Sequence, residues 1–171
     1  MKENDTSAVE KDTLVNRRSL VKAAAWSVPV ISLAIASPAM AASGNTEVGA
    51  FHLDGTCGVL GVLGPGFTLT AGSAPLPIGT VVTITGSGIA NIGVFTPAPV
   101  IASVAVLSGT SRQITLTAAL PAGATLALRT TLSISVAFAL NASAALPSGY
   151  IGTGSKTGAS VSSTLIFCSG T

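Results

Sequence analysis

The chain has 171 residues, of which 8% are charged and 48% hydrophobic, and its formal net charge is +2. That length suits a single domain, and so few charges cannot neutralise a run of phosphates, which excludes a nucleic-acid-binding reading. With one histidine and two cysteines, a tetrahedral metal site could not be completed without a carboxylate, so neither a metal nor another cofactor is expected.

Residues 1–22 are polar and carry most of the charge, residues 23–36 are apolar apart from Ser27 and Ser32, and residues 38–42 are small and turn-prone. This order, basic then apolar then small, is the layout of an export signal, expected here as a short helical segment. As a helix, the apolar stretch would reach roughly 21 Å, short of the ~30 Å hydrocarbon core, which favours a removed signal over a permanent anchor. Cleavage requires small side chains at the last position and two before it. Ala39 and Ala41 meet that requirement and leave Ala42 as the first mature residue.

Within the leader, Arg17-Arg18-Ser19-Leu20-Val21-Lys22 resembles a twin-arginine signal. The longer run from Arg17 to Ile31 resembles the leaders of small secreted actinobacterial proteins. The resemblance implies an export motif of Arg17, Arg18, Leu20, Val21 and Lys22, read by the twin-arginine translocase and followed by signal peptidase. It also implies folding before passage, membrane contact only through the signal segment, and a secreted or cell-surface location. The expected division is a signal peptide at 1–41 and a secreted domain at 42–171.

The mature part carries only Glu47, Asp54, Arg112, Arg129 and Lys156 as charged residues, with none between Asp54 and Arg112. His52 and Asp54, two apart, share one face of a strand, with Phe51 and Leu53 turned to the core. Cys57 follows. Its partner Cys168 lies near the C-terminus, and an even cysteine count in an exported domain suggests a disulfide. Residues 80–85 and 102–107 are rich in valine, isoleucine and threonine, as strands are. From 112 to 120, Ile114, Leu116 and Leu120 fall on one face, with Gln113, Thr115 and Thr117 on the other. Pro121-Ala122-Gly123 then reads as a hairpin turn.

The clearest alternation runs from 125 to 141. Leu126, Leu128, Leu132, Ile134, Val136, Phe138 and Leu140 lie on one face and small or polar residues, Ser135 among them, on the other. One unbroken strand of that length would approach 55 Å, too long for a domain with a radius of gyration of roughly 14 Å. The expected break is at Arg129-Thr130-Thr131. Residues 160–167 supply a last strand. The pattern predicts an all-β chain, an antiparallel β-sandwich of about seven to eight strands with immunoglobulin-like topology, although the usual core tryptophan is absent. The aromatic girdles of an outer-membrane barrel are also missing.

For function, His52 and Asp54 would suit a hydrolase if a serine stood beside them, but no Gly-x-Ser-x-Gly elbow occurs. Glu47 and Asp54 both precede the main strands, which argues against a glycosidase pair. A carbohydrate- or small-ligand-binding module is the alternative, poorly equipped with aromatic rings. The favoured reading is a non-catalytic, adhesin-like or structural protein acting by self-association or cell-envelope contact, since low charge lets surfaces approach closely.

Overall fold

The computed structural model describes residues 44–58, 64–133, 135–165 and 167–171. The export motif at Arg17, Arg18, Leu20, Val21 and Lys22, the cleavage residues Ala39, Ala41 and Ala42, and Ile134 lie outside them. Alternation of large apolar and small polar side chains dictates strands, and strands dominate the described unit Asn45–Thr171. In chain order they are β1 (Thr46–Glu47), β2 (His52–Thr56), β3 (Gly66–Thr70), β4 (Val81–Ser87), β5 (Phe95–Ala98) and β6 (Ala102–Ser108). There follow β7 (Ser111–Leu116), β8 (Thr125–Thr130), β9 (Phe138–Ala145), β10 (Tyr150–Ile151), β11 (Gly158–Ser163) and β12 (Cys168–Gly170).

Four strands form one antiparallel sheet in the order β2-β3-β8-β5, and six form a second in the order β12-β11-β9-β4-β7-β6. The sheets pack face to face as a β-sandwich. Leu53, Phe67, Leu69, Leu126 and Leu128 project from the smaller sheet; Val82, Ile84, Ile114, Phe138, Leu140 and Val161 meet them from the larger. The described strands exceed the seven or eight expected because β1, β10 and β12 have two or three residues each and β5 only four, one of them Pro97, too few to show a period. The two-residue β1 and β10 pair in parallel.

The long alternation breaks where expected. β8 ends at Thr130 and β9 resumes at Phe138, so one periodic run serves both sheets. Thr130 points inward at 3% exposure, and its hydroxyl donates to the Ile92 carbonyl at 2.6 Å, which satisfies the buried oxygen. Two assignments inside the run are corrected. Val136 is 43% exposed, and Ser135 sits in the connecting loop, its amide accepted by the Ser133 hydroxyl, rather than on a strand face. Leu132 is only half-buried.

Pro121-Ala122-Gly123 does turn the chain, with the Ala124 amide donating to the Pro121 carbonyl and Gly123 at φ 69°. It makes no hairpin, however, because β7 and β8 belong to different sheets. Leu120, fully buried, bridges to Leu76 on the way across. The strand expected at 160–167 also starts and ends earlier, and a further strand, β12, follows it. β11 stops at Ser163, and Phe167 lies between β11 and β12, 77% exposed.

The two sheets are tied together at one edge. The amide of Leu53 in β2 donates to Lys156, that of Lys156 to Phe51, and that of Gly55 to Thr171. Gly55 is required at this seam, since a Cβ there would collide with the Ser160 carbonyl. The expected Cys57–Cys168 disulfide closes the same edge, with the Cα atoms 5.8 Å apart.

Candidate contact surface

The outer face of the six-stranded sheet is set by strand parity. In β4, Val82 and Ile84 are buried while Thr83 and Thr85 face outward. In β9, Leu140, Ala142 and Ala144 are buried while Asn141 and Ser143 are exposed. Register then aligns the outward residues in rows. One row runs Ser160–Asn141–Thr85–Ser111–Ser108, and the next runs Gly158–Ser143–Thr83–Gln113–Ala105. At ~4.8 Å between strands, each row spans about 19 Å. The result is a hydroxyl-, amide- and methyl-bearing surface.

No ionisable side chain stands on that face. Arg112 is the sole charged residue in the six strands, and it shares the inward parity of Ile114 and Leu116. It is 5% exposed. Its Nε donates to the Gly93 carbonyl at 3.1 Å and Nη2 to Asn91 Oδ1 at 3.0 Å. Nη1 donates to the carbonyls of Ser111, at 2.9 Å, and Ser108. The guanidinium therefore pins the loop before β5 to the turn between β6 and β7. Arg112→Ala is expected to cost about 3 kcal/mol in thermal unfolding, since it strands several buried acceptors at once. Lysine at the same position, a point charge without the fork, should recover only part of that.

The remaining charges lie elsewhere. His52 and Asp54 do share the outward face of β2, flanked by buried Phe51 and Leu53. Asp54 is engaged by Lys156, Nζ to Oδ1 at 2.7 Å, an exposed pair worth ~0–1 kcal/mol. Neither a hydrogen bond nor an ion pair joins His52 to Asp54 among the described residues. Arg129 faces outward on β8. Burial pulls its pKa below the usual arginine value, and its Nη1 has no hydrogen-bond partner among the described residues. Glu47 accepts from the Thr153 hydroxyl at 2.7 Å, the Thr153 amide at 2.8 Å and the Gly49 amide at 2.9 Å. These bonds, led by the Thr153 hydroxyl, hold its carboxyl below the usual range. Among the described residues no group of three or more histidines, cysteines or carboxylates is placed to hold a metal ion.

Sequence reasoning noted how few charges the mature part carries but missed that one sheet face carries none. The signal that could have found it is the outward parity of β4, β7, β9 and β11, where no charged residue falls. The Arg112 clamp and the Glu47–Thr153 link were also missed, because most of their partners are backbone groups, which leave no mark on the sequence. No family model, curated protein or solved structure matches this chain.

Proposed function

We propose that the chain is an exported, non-catalytic protein that acts outside the cytoplasm by surface contact, through the uncharged outer face of its six-stranded sheet. The observation that carries this reading is the continuous row structure of that face, about 19 Å across and without an ionisable group. Such a surface loses no charge hydration when covered, and its short side chains lose little rotamer freedom. It suits lateral contact with the cell envelope or with further copies of the chain.

The fold is read as immunoglobulin-like. The order β2-β3-β8-β5 follows the first, second, fifth and fourth strands of a constant-type domain, and β11-β9-β4 follows the seventh, sixth and third. On that reading β6 and β7 are a hairpin inserted between the fourth and fifth strands. The bridge departs from the immunoglobulin pattern, joining the end of β2 to β12, and the lone Trp26 precedes the domain.

Export by the twin-arginine route rests on Arg17, Arg18, Leu20, Val21 and Lys22, with cleavage after Ala41. The disulfide favours an oxidising compartment. Replacing Arg17 and Arg18 together by lysine keeps the charge and removes the guanidinium geometry. Export should cease, with precursor accumulating inside the cell, whereas the unsubstituted chain should yield a product whose mass begins at Ala42. Normal secretion of the double variant would contradict the pathway.

A further inference from the structure

A sandwich has four strand edges, and three of them here are protected. β2 is bonded along its outer side to Lys156 and Thr171. β12 has three residues and is tied to β2 by the disulfide. β5 has four residues, and one of them, Pro97, has no amide hydrogen to offer. β6 differs from all three. It has seven residues, no proline and no charge, and its partner among the described strands is β7 alone.

The hydrogen-bonding phase of β6 follows from its neighbours. The Thr117 amide donates to the Ile101 carbonyl, so Ile101 bonds toward the β7 side. Leu116, opposite Ala102, instead directs its amide across to Thr80, toward the β4 side. Bonding alternates along an antiparallel pair, so Ala102, Val104 and Val106 direct their amides and carbonyls away from β7, to the open side. The register is regular from Ala102 to Val106 and shifts only between Val106 and Ser108. Val106 is 70% exposed and Leu107 55% exposed beside this edge. Natural sheets blunt such edges with lysine, proline or a central bulge, and none of these interrupts the regular segment.

We propose that β6 pairs antiparallel with β6 of a second copy of this chain, about a two-fold axis at Val104. The regular segment is symmetric about that residue. Val104 then opposes its own copy, Ala102 opposes Val106, and Ser103 opposes Ala105. Two-fold pairing sets Val104 against its own copy and every other residue against the same strand, where a charge at the centre would be repelled by its copy. The uncharged β6 carries no such penalty, and its valines cover one another on the inward side. The joined sheets also double the neutral outer face, so this inference rests on the contact reading and deepens it by naming a partner.

The test is sedimentation of the purified mature chain over a range of concentrations, with oxidative cross-linking. The unsubstituted chain should run at twice the monomer mass. Val106→Lys, which places a lysine at the exposed edge, should run as a monomer whose melting temperature matches that of the unsubstituted chain diluted to monomer. A mixture of Ser103→Cys and Ala105→Cys single variants should cross-link faster than either alone, because those residues face each other across the axis. A monomer at every concentration would overturn the proposal, as would a dimer that Val106→Lys leaves intact. Attachment of such a monomer to isolated envelopes would leave the contact reading standing while the β6 pairing failed. A dimer that ignores envelopes would do the reverse for envelope contact.

Discussion

Phe138→Ala is expected to destabilise the domain by about 3–5 kcal/mol through lost burial and the cavity left behind. Phe138 opens β9, is 4% exposed, and sits in the core face beside Leu140. Its strand is central to the larger sheet, flanked by β4 and β11, so the surrounding backbone has little freedom to collapse into the space. That loss is a large share of the ~5–15 kcal/mol a domain usually has, and the melting temperature should fall by roughly 10–20 °C. Thr83→Lys, on the outward face of β4, should change stability by no more than ~0.5 kcal/mol. On the proposed twin-arginine route the chain folds before passage, which adds a second readout. Phe138→Ala should reduce export, and Thr83→Lys should not. Equal melting temperatures for the two variants would mean that the faces of the sheet are assigned wrongly.

Replacing both Cys57 and Cys168 by serine is expected to cost up to about 4.7 kcal/mol, the loop-closure value for a bridge enclosing a separation of 111 residues. The loss should be uneven. The bridge lies at the edge where Gly55 bonds to Thr171, so the amides of Gly55 and Thr171 should exchange with solvent sooner than those of β4 or β9. The cytosol keeps thiols reduced, so on the proposed route, where folding precedes export, the chain would fold without this bridge. The double variant should therefore still leave the cell and then survive for a shorter time outside it. An unchanged melting temperature would show that the seam holds without the bridge, and a block in export would show that the bridge forms before passage.

Much of the sandwich was legible where alternation is strong. Leu126 and Leu128 in β8, Val82 and Ile84 in β4, and Phe51 and Leu53 around His52 all face the core as their parity demands. That the run must break followed from its length, and the break falls after Thr130, within the expected Arg129-Thr130-Thr131. What period cannot encode is which sheet a strand joins. Pro121-Ala122-Gly123 has hairpin chemistry, yet the chain there crosses between layers, because β7 finds its neighbours in β4 and β6 and β8 finds its own in β3 and β5. Leu132, Ser133, Ser135 and Val136 continue the alternation outside any strand, since small and large residues in a connection can fall in step with the strands on either side.

The contact face was legible as composition and not as a place. Thr83, Thr85, Asn141, Ser143 and Ser160 read individually as solvent-facing strand residues. Only register brings them into rows. Arg112 was concealed for the opposite reason. It has the parity of Ile114 and Leu116, but its acceptors are carbonyls of Gly93, Ser108 and Ser111, which leave no mark on the sequence.

The central claim is that the uncharged face of the six-stranded sheet makes the contact. The direct measurement is the share of mature protein held in the envelope fraction of cells expressing the full chain, compared with a Thr83→Lys and Asn141→Lys double variant. The account predicts that the unsubstituted chain is retained and that the double variant, equally exported and equally stable, appears in the medium. Equal retention of the two would contradict it.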